Sequence, residues 1–452
     1  MAEDEVRNKI GWPGVAAAAV GLVVASTTFA GNFNGFGTAG PAYVIAILVG
    51  FALNLFVMWA YAELTTMFPK AGQIYEFTKR AFEDGRARKW GVLLAAGAGT
   101  SYWLIFGLVF AAEGSAGASA MVSTTGVGSV VGWIVAINVI SLILNLLGVR
   151  ISMLVELVLV ITMVGVRVLF GLAGFTGLNN VGAWHIDPIL NFTPFGWGAV
   201  FGTLTLGFWA FVGLEFATPL VEETKNPEKN IPKGMFIGIL VILAMGLIMG
   251  FGTIGVIDPA THQELYTGNA PQIEIGGMLL GPYGAILAGI ASFAATLGSV
   301  NVAYASIPRI IQAMAREGLW PDLFAWEHPQ YGSPWPATIL TFFLFLVPTV
   351  LSHEVVPLID AATVVWLLAY IWIFGLALKL RTSHIGLTRP FSVNKGIYFA
   401  GIFLILFVLW RAYQGAYWLV GLGLAIAVVG FIYAFIWTSY TGTSTESVAS
   451  AD

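Results

Sequence analysis

The chain has 452 residues, 58% of them apolar and only 10% charged, where an ordinary soluble domain carries about 25% charged residues; a water-soluble globule cannot hide that much apolar surface, and a lipid bilayer can. Cysteine is absent, which excludes disulfides, thiolate metal sites and a cysteine nucleophile, and a net charge of −4 offers nothing to a nucleic-acid partner. The 54 glycines suit membrane helices that approach closely and do not suit soluble helices, which each glycine weakens.

The chain opens on MAEDEVRNKIG, acidic and polar, without the basic stretch and small-residue cleavage site of a signal peptide. The first apolar segment is therefore expected to stay in the mature protein. A bilayer-crossing helix needs roughly 20 mostly apolar residues. Twelve segments read that way, near 14–37, 41–68, 90–113, 125–147, 152–176, 196–221, 235–257, 283–312, 336–352, 357–380, 396–413 and 416–438. The sequence thus predicts an all-α membrane protein with one transmembrane domain over 1–440, no soluble domain and a disordered tail over 441–452. The longest polar segments are near 177–195 and 258–282; within the second, Ile273 to Leu280 reads as a short surface helix.

An even number of crossings puts both termini on one side. With the termini in the cytoplasm, Lys79 to Lys89, Arg150, Lys225 to Lys233, Arg309 to Arg316 and Lys379 to Lys395 all fall inside, as the positive-inside rule requires. Only Arg167 and Arg411 sit in outer halves of helices, and eleven crossings would break the pattern. The expected location is the cell membrane, multi-pass, with both termini cytoplasmic.

Two segments differ from the rest. The first, GLVVASTTFAGNFNGFGTAGP, is interrupted at mid-depth by Ser26, Thr27 and Thr28. The sixth, GTLTLGFWAFVGLEFATPL, carries Gly213 and Glu215 near its middle, then Pro219. Helix-breaking backbone at membrane depth is tolerated only where it is buried or lines a cavity, and two interrupted helices five apart are the sequence sign of inverted five-helix repeats. The competing reading is local: hydroxyls bonding back to their own helix and glycines packing on a neighbour.

An intramembrane carboxylate is functional by default. Glu215, in the inner half of helix six, and Glu156 in helix five are the candidates for a proton carrier; the alternative for each is a structural carboxylate satisfied by nearby donors. Glu63 and Glu113 fall near membrane edges and read as structural. Helix three around Ser101 to Phe110 is mostly apolar and carries no acid. Ser299, Asn301 and Ser306 in helix eight read as helix–helix contacts. All five histidines, His185, His262, His328, His353 and His384, fall in loops, which removes histidine from a mid-membrane proton relay and leaves no intramembrane metal site. The reading requires no cofactor. An intramembrane enzyme lacks its paired aspartates or membrane histidine, and a channel lacks its repeated pore loop or charged ring. A non-transporting receptor of the same shape stays open.

Four stretches carry a resemblance: FWAFVGLEFATPLVEETKNPEKNIPKG at 208–234, YAELTTMFPKAGQIYEF at 61–77, AMAREGLWPDLFAWEHPQYGSPWPA at 313–337 and, more weakly, RPF at 389–391. In this order and spacing they resemble the amino acid–polyamine–organocation permeases, whose fold is the LeuT-type bundle of two inverted five-helix repeats with helices one and six broken. The resemblance covers helices one to ten and implies repeats near 14–176 and 196–380, with the last two helices at 396–438. It implies an amino acid or amine as substrate, moved by symport or antiport.

The resemblance also implies a site. Its carboxylate-binding turn falls on Ala25, Ser26 and Thr27, and its ammonium-binding carbonyls fall on Val23, Trp209 and Val212, with Ala210 and Gly213 in the sixth-helix break. Phe208 and Trp209 stand where such permeases close the outward path with an aromatic ring. The half-helix after a break points its positive end at the cavity, so a carboxylate is held without a basic side chain. The usual glycine–serine–glycine turn is Ala–Ser–Thr here, which leaves room for a substrate without a carboxylate. Where proton-coupled relatives carry a helix-five lysine, the count falls on Met163, so no built-in cation is expected. A neutral or apolar amino acid with a coupling proton fits best; amino acid or amine exchange is the alternative.

Overall fold

The computed structural model describes residues 10–442 except 71, 84–87, 148, 222–223, 352–354 and 384–385; side chains at 88–89, 149–157, 351, 415–416 and 419–420 also lie outside the described set. Among the described residues regular structure is helical, apart from one isolated parallel bridge between Ile10 and Thr224. Among these residues nine stretches are long and apolar enough to cross a membrane, and three shorter apolar helices, Trp12–Val23, Val130–Leu146 and Trp335–Val350, accompany them. Each of the twelve expected segments is found as helix, but length and composition alone give nine crossings. The first is severed, and two others fall below 18 residues.

The expected first helix is two helices, α1 (Trp12–Val23) and α2 (Ser26–Ala39), parted at Val24 and the extended Ala25. Helices α3 (Tyr43–Met67), α4 (Gln73–Ala81), α5 (Arg88–Thr125), α6 (Val130–Leu146) and α7 (Val149–Thr176) follow. The Ser129 side chain caps α6 by accepting from the Gly132 N–H at 3.1 Å, one of the donors a helix start leaves unpaired. After the short α8 (Asp187–Leu190), the sixth span is also broken: α9 (Gly196–Gly202), α10 (Leu204–Trp209), a turn, and a 3-10 segment over Leu214–Val221 that contains Pro219.

The second half continues with α11 (Pro227–Ile254), α12 (Gln263–Tyr266), α13 (Pro271–Ser306), α14 (Pro308–Arg316), α15 (Trp335–Leu351), α16 (Val355–Ser383) and α17 (Gly396–Thr441). Within α13 the chain breaks at Leu280 and Gly281, so the predicted short helix at 273–280 exists. It is not on the surface: Ile273, Ile275 and Leu279 are buried. The last two expected spans run on as one helix, α17. Thr441, expected in the disordered tail, closes α17, and 443–452 lie outside the described residues.

One contiguous apolar core joins the broken helices to α3, α5, α13 and α16. The outer faces are apolar too. Val135, Val139 and Ile143 on α6, Val158 and Ile161 on α7, and Phe403, Leu406, Phe435 and Ile436 on α17 are exposed, as in a protein whose solvent is lipid. On one side Glu63, at the end of α3, accepts from Arg381 Nε (2.9 Å) and Tyr398 Oη (2.7 Å). Glu63 is the structural carboxylate its position predicted.

α10 lies against α3 at backbone contact: a Cβ added at Gly50 would lie 2.0 Å from the Gly207 carbonyl oxygen. Asn54 fastens the same seam, donating from Nδ2 to Gly50 O (2.9 Å) and Phe208 O (3.1 Å). Replacing Gly50 with leucine forces these helices apart. The expected cost is about 1–3 kcal/mol or more, read as a lowered melting temperature of the purified protein in detergent; an unchanged melting temperature contradicts this packing.

Candidate functional site

At the first break the extended Ala25 turns the chain so that the Ser26 and Thr27 N–H groups head α2 without helical acceptors. Both are taken by one side chain: Glu113 of α5 accepts from Ser26 N at Oε1 (2.8 Å) and from Thr27 N at Oε2 (2.9 Å). The hydroxyls of Thr27 (2.8 Å) and of Thr296 on α13 (2.8 Å) complete its shell. A buried carboxylate thus meets the positive end of a half-helix. The other side of the break is carbonyl-rich and holds the opposite charge. Arg167 of α7 donates from Nη2 to Ala25 O and from Nη1 to Thr28 Oγ1 (3.0 Å), and its guanidinium lies 4.7 Å from the centroid of the Phe29 ring, a cation–π contact. The Thr28 hydroxyl stands 2.9 Å from Val23 O and 2.8 Å from Ala25 O.

Glu113 is not at a membrane edge, where the sequence places it: α5 runs on to Thr125, so the residue lies well inside the helix and is buried. The count onto Met163 predicts no built-in cation in helix five; Arg167, one helical turn further, supplies one, so basic charge is present at the break. The signal for Arg167 was its isolation as one of two basic residues off the cytoplasmic side. For Glu113 no signal separates a helix-edge acid from one inside a longer helix.

The second break follows Trp209. Gly213 has φ 113°, a conformation glycine reaches at no steric cost, and a Cβ there would come within 2.8 Å of Leu22 on α1. The turn therefore brings the two broken helices into contact. Beyond it Glu215 is buried and fully engaged: Oε1 accepts from Trp366 Nε1 (2.9 Å) and Tyr370 Oη (2.7 Å) on α16, and Oε2 from Gly213 N (3.2 Å). The Trp209 indole N–H donates to Thr27 Oγ1 at 3.0 Å, bridging the two breaks.

Between them lies a cavity of about 30 Å³, lined in part by Val23, Ala25, Thr27, Trp209, Val212 and Glu113, with room for little more than one water molecule. Most of the residues predicted for a site are thus brought together. Phe208 is the exception among the aromatics: its ring packs edge-on against Tyr370 at 5.9 Å. Ala210 and Gly213 shape the turn, and the buried Ser26 hydroxyl has no hydrogen-bond partner. Glu156 lies on α7, but its side chain is outside the described residues. Ser299 lines the cavity and donates to Thr296 O at 3.2 Å, while Asn301 accepts from Asn145 at 2.9 Å and Ser306 donates to Val302 O at 2.7 Å. Among the described residues no group of three or more His, Asp or Glu is placed to hold a metal ion.

A family model described as amino acid permease matches residues 10–436. The branched-chain amino acid permease BcaP of Bacillus subtilis is 26% identical over 411 residues, covering 86% of this chain and 84% of its own. The human large neutral amino acids transporter small subunit 2 is 27% identical over 455 residues, covering 95% and 80%. The methylthioribose transporter of Bacillus subtilis is 27% identical over 334 residues, covering 67% and 66%. The all-helical architecture with broken first and sixth spans fits the LeuT-type fold.

Glu215 ties the sixth span to α16. Tyr370→Phe removes one donor to a buried carboxylate, an expected loss of about 1.5–3 kcal/mol. Glu215→Ala costs more, because the Trp366 and Tyr370 donors both lose their acceptor. Thermal unfolding of the two variants in detergent is expected to rank them in that order, with both below the parent; equal melting temperatures contradict the arrangement.

Proposed function

Because this chain belongs to the amino acid permease family, we propose that it is a secondary active transporter that moves a neutral, mainly apolar amino acid across the cell membrane by alternating access. The observation that carries the reading is the pair of backbone breaks, at Val24–Ala25 and at 210–213, facing one small cavity with peptide groups outside the helical ladder at its wall. The N–H groups of Ser26 and Thr27 suit a carboxylate, and the carbonyls of Val23, Trp209 and Val212 suit an ammonium. Leu22, Val109, Phe110 and Trp366 supply an apolar surround. That lining agrees with relatives named for branched-chain and large neutral amino acids.

In this reading Trp209 is the gate: its indole closes the cavity and lets go of Thr27 when the outer half of the sixth span moves. The repeats are 14–176 and 196–380, and both termini are cytoplasmic, as the basic residues suggest. Arg167 sets a fixed positive charge on the carbonyl side of the first break, where a sodium ion would have to face it. That favours a proton, or a second substrate molecule, as the coupled species. Glu215 and Glu156 are the proton-carrying candidates; Glu215 already links the sixth span to α16, so loss of its charge would free one from the other.

The test is uptake of labelled leucine by the purified protein in liposomes. An inward proton gradient is expected to accelerate uptake into empty vesicles, and Glu215→Gln to remove most of that acceleration. Uptake indifferent to both rules out proton coupling. Uptake that needs unlabelled leucine inside identifies an exchanger.

A further inference from the structure

The Ser26 and Thr27 amides are the place where, on the reading above, a substrate carboxylate docks, and in this structure they are occupied by the protein itself. Glu113 takes both N–H groups at 2.8 and 2.9 Å and is held by two further hydroxyls. The cavity beside it, about 30 Å³, is too small for an amino acid. Two carboxylates cannot share the same pair of N–H donors, because like charges at that distance repel strongly in a poorly solvated site. We propose that Glu113 is a resident occupant of the carboxylate seat, and that loading is an exchange in which the substrate's carboxylate displaces Glu113 from the Ser26 and Thr27 amides.

This proposal rests on the amino acid reading and deepens it, by making Glu113 the residue that sets the threshold for carboxylate ligands. Two observations give the exchange a direction. The Ser26 hydroxyl is fully buried at the head of α2, and Glu113 leaves it without a partner. An incoming carboxylate that reaches it gains a hydrogen bond that Glu113 does not make. The second is Thr296: it holds Glu113 Oε1 from α13, independently of α2, so the displaced side chain leaves the seat with a donor already in hand. Release of Glu113 therefore shifts its attachment from the first span toward α13, which ties the arrival of substrate to the relation between those helices.

The proposal separates ligands that carry a carboxylate from those that do not. Leucine and leucinol share the side chain and the ammonium; leucinol has a hydroxymethyl group in place of the carboxylate. Binding of each to the purified protein in detergent is measured by calorimetry for the parent, Glu113→Gln and Thr296→Val. Glutamine keeps the shape and a single weaker acceptor, so Glu113→Gln is expected to bind leucine about tenfold tighter with leucinol changed less than about twofold. Thr296→Val loosens Glu113 without touching the seat and is expected to move leucine the same way by a smaller factor; it carries the test if Glu113→Gln does not fold. Leucine and leucinol weakened together overturn the proposal, because Glu113 is then a helix cap and no competitor. Leucinol bound and leucine refused by parent and variants also overturns it, because the seat is then closed to carboxylates. Neither ligand bound by any of these proteins, with melting temperatures unchanged, sinks the amino acid reading and the proposal with it.

Discussion

Everything near the centre of this protein depends on how the ends of one interrupted helix are satisfied. Breaking a helix inside a membrane frees N–H groups on one side and carbonyls on the other, and lipid offers neither a partner. Here a carboxylate from α5 caps the amide end and a guanidinium from α7 caps the carbonyl end. Neither charge would be tolerable there alone, since a buried ion needs compensation in full. They do not form an ion pair directly. They are joined through the peptide groups and threonine hydroxyls of residues 25–28, so the break and the two charges each make the other affordable.

The sixth span solves the same problem differently. No cation stands at its break among the described contacts; the turn at 210–213 closes on itself through Val212 N to Trp209 O at 3.2 Å and Phe216 N to Gly213 O at 3.1 Å. Glu215 reaches back to Gly213 N and outward to two aromatic donors. One break is therefore capped by its neighbours and the other largely by its own strand of chain. The asymmetry suits a site in which one wall meets charge and the other meets shape.

Much of this was legible from residue order. Hydropathy marked the long apolar helices but not the short α4, α8 and α12, and Ser26 to Thr28, Gly213 and Pro219 marked both interruptions, because lipid leaves released backbone groups no partner and confines such breaks to buried or cavity-lining positions. The motif at 208–234 pointed to the family later shown by comparison. What was not legible were partners across helices. Glu113 sat where an apolar stretch seemed to end, because a charge ends any such stretch; only the continuation of α5 to Thr125 shows that it lies inside. The sequence places Arg167 in an outer half-helix, and nothing in its neighbours says that its side chain turns to Ala25. Trp366 and Tyr370, four apart on α16, both donate to Glu215 Oε1, and nothing in the order of residues joins them to an acid so distant in the chain. Contacts between distant segments leave no periodicity to read.

The Thr27 hydroxyl accepts a hydrogen bond from the Trp209 indole and donates its own hydrogen to Glu113. A hydroxyl has one hydrogen to direct, so its orientation records whether an acceptor stands on the α5 side. If that acceptor leaves, the hydrogen is free to rotate, and the lone pair that steadied the ring rotates with it. The two interrupted spans, already packed together where Gly213 meets Leu22, are thus also joined through the heading of a single O–H bond, a connection light enough to be reset.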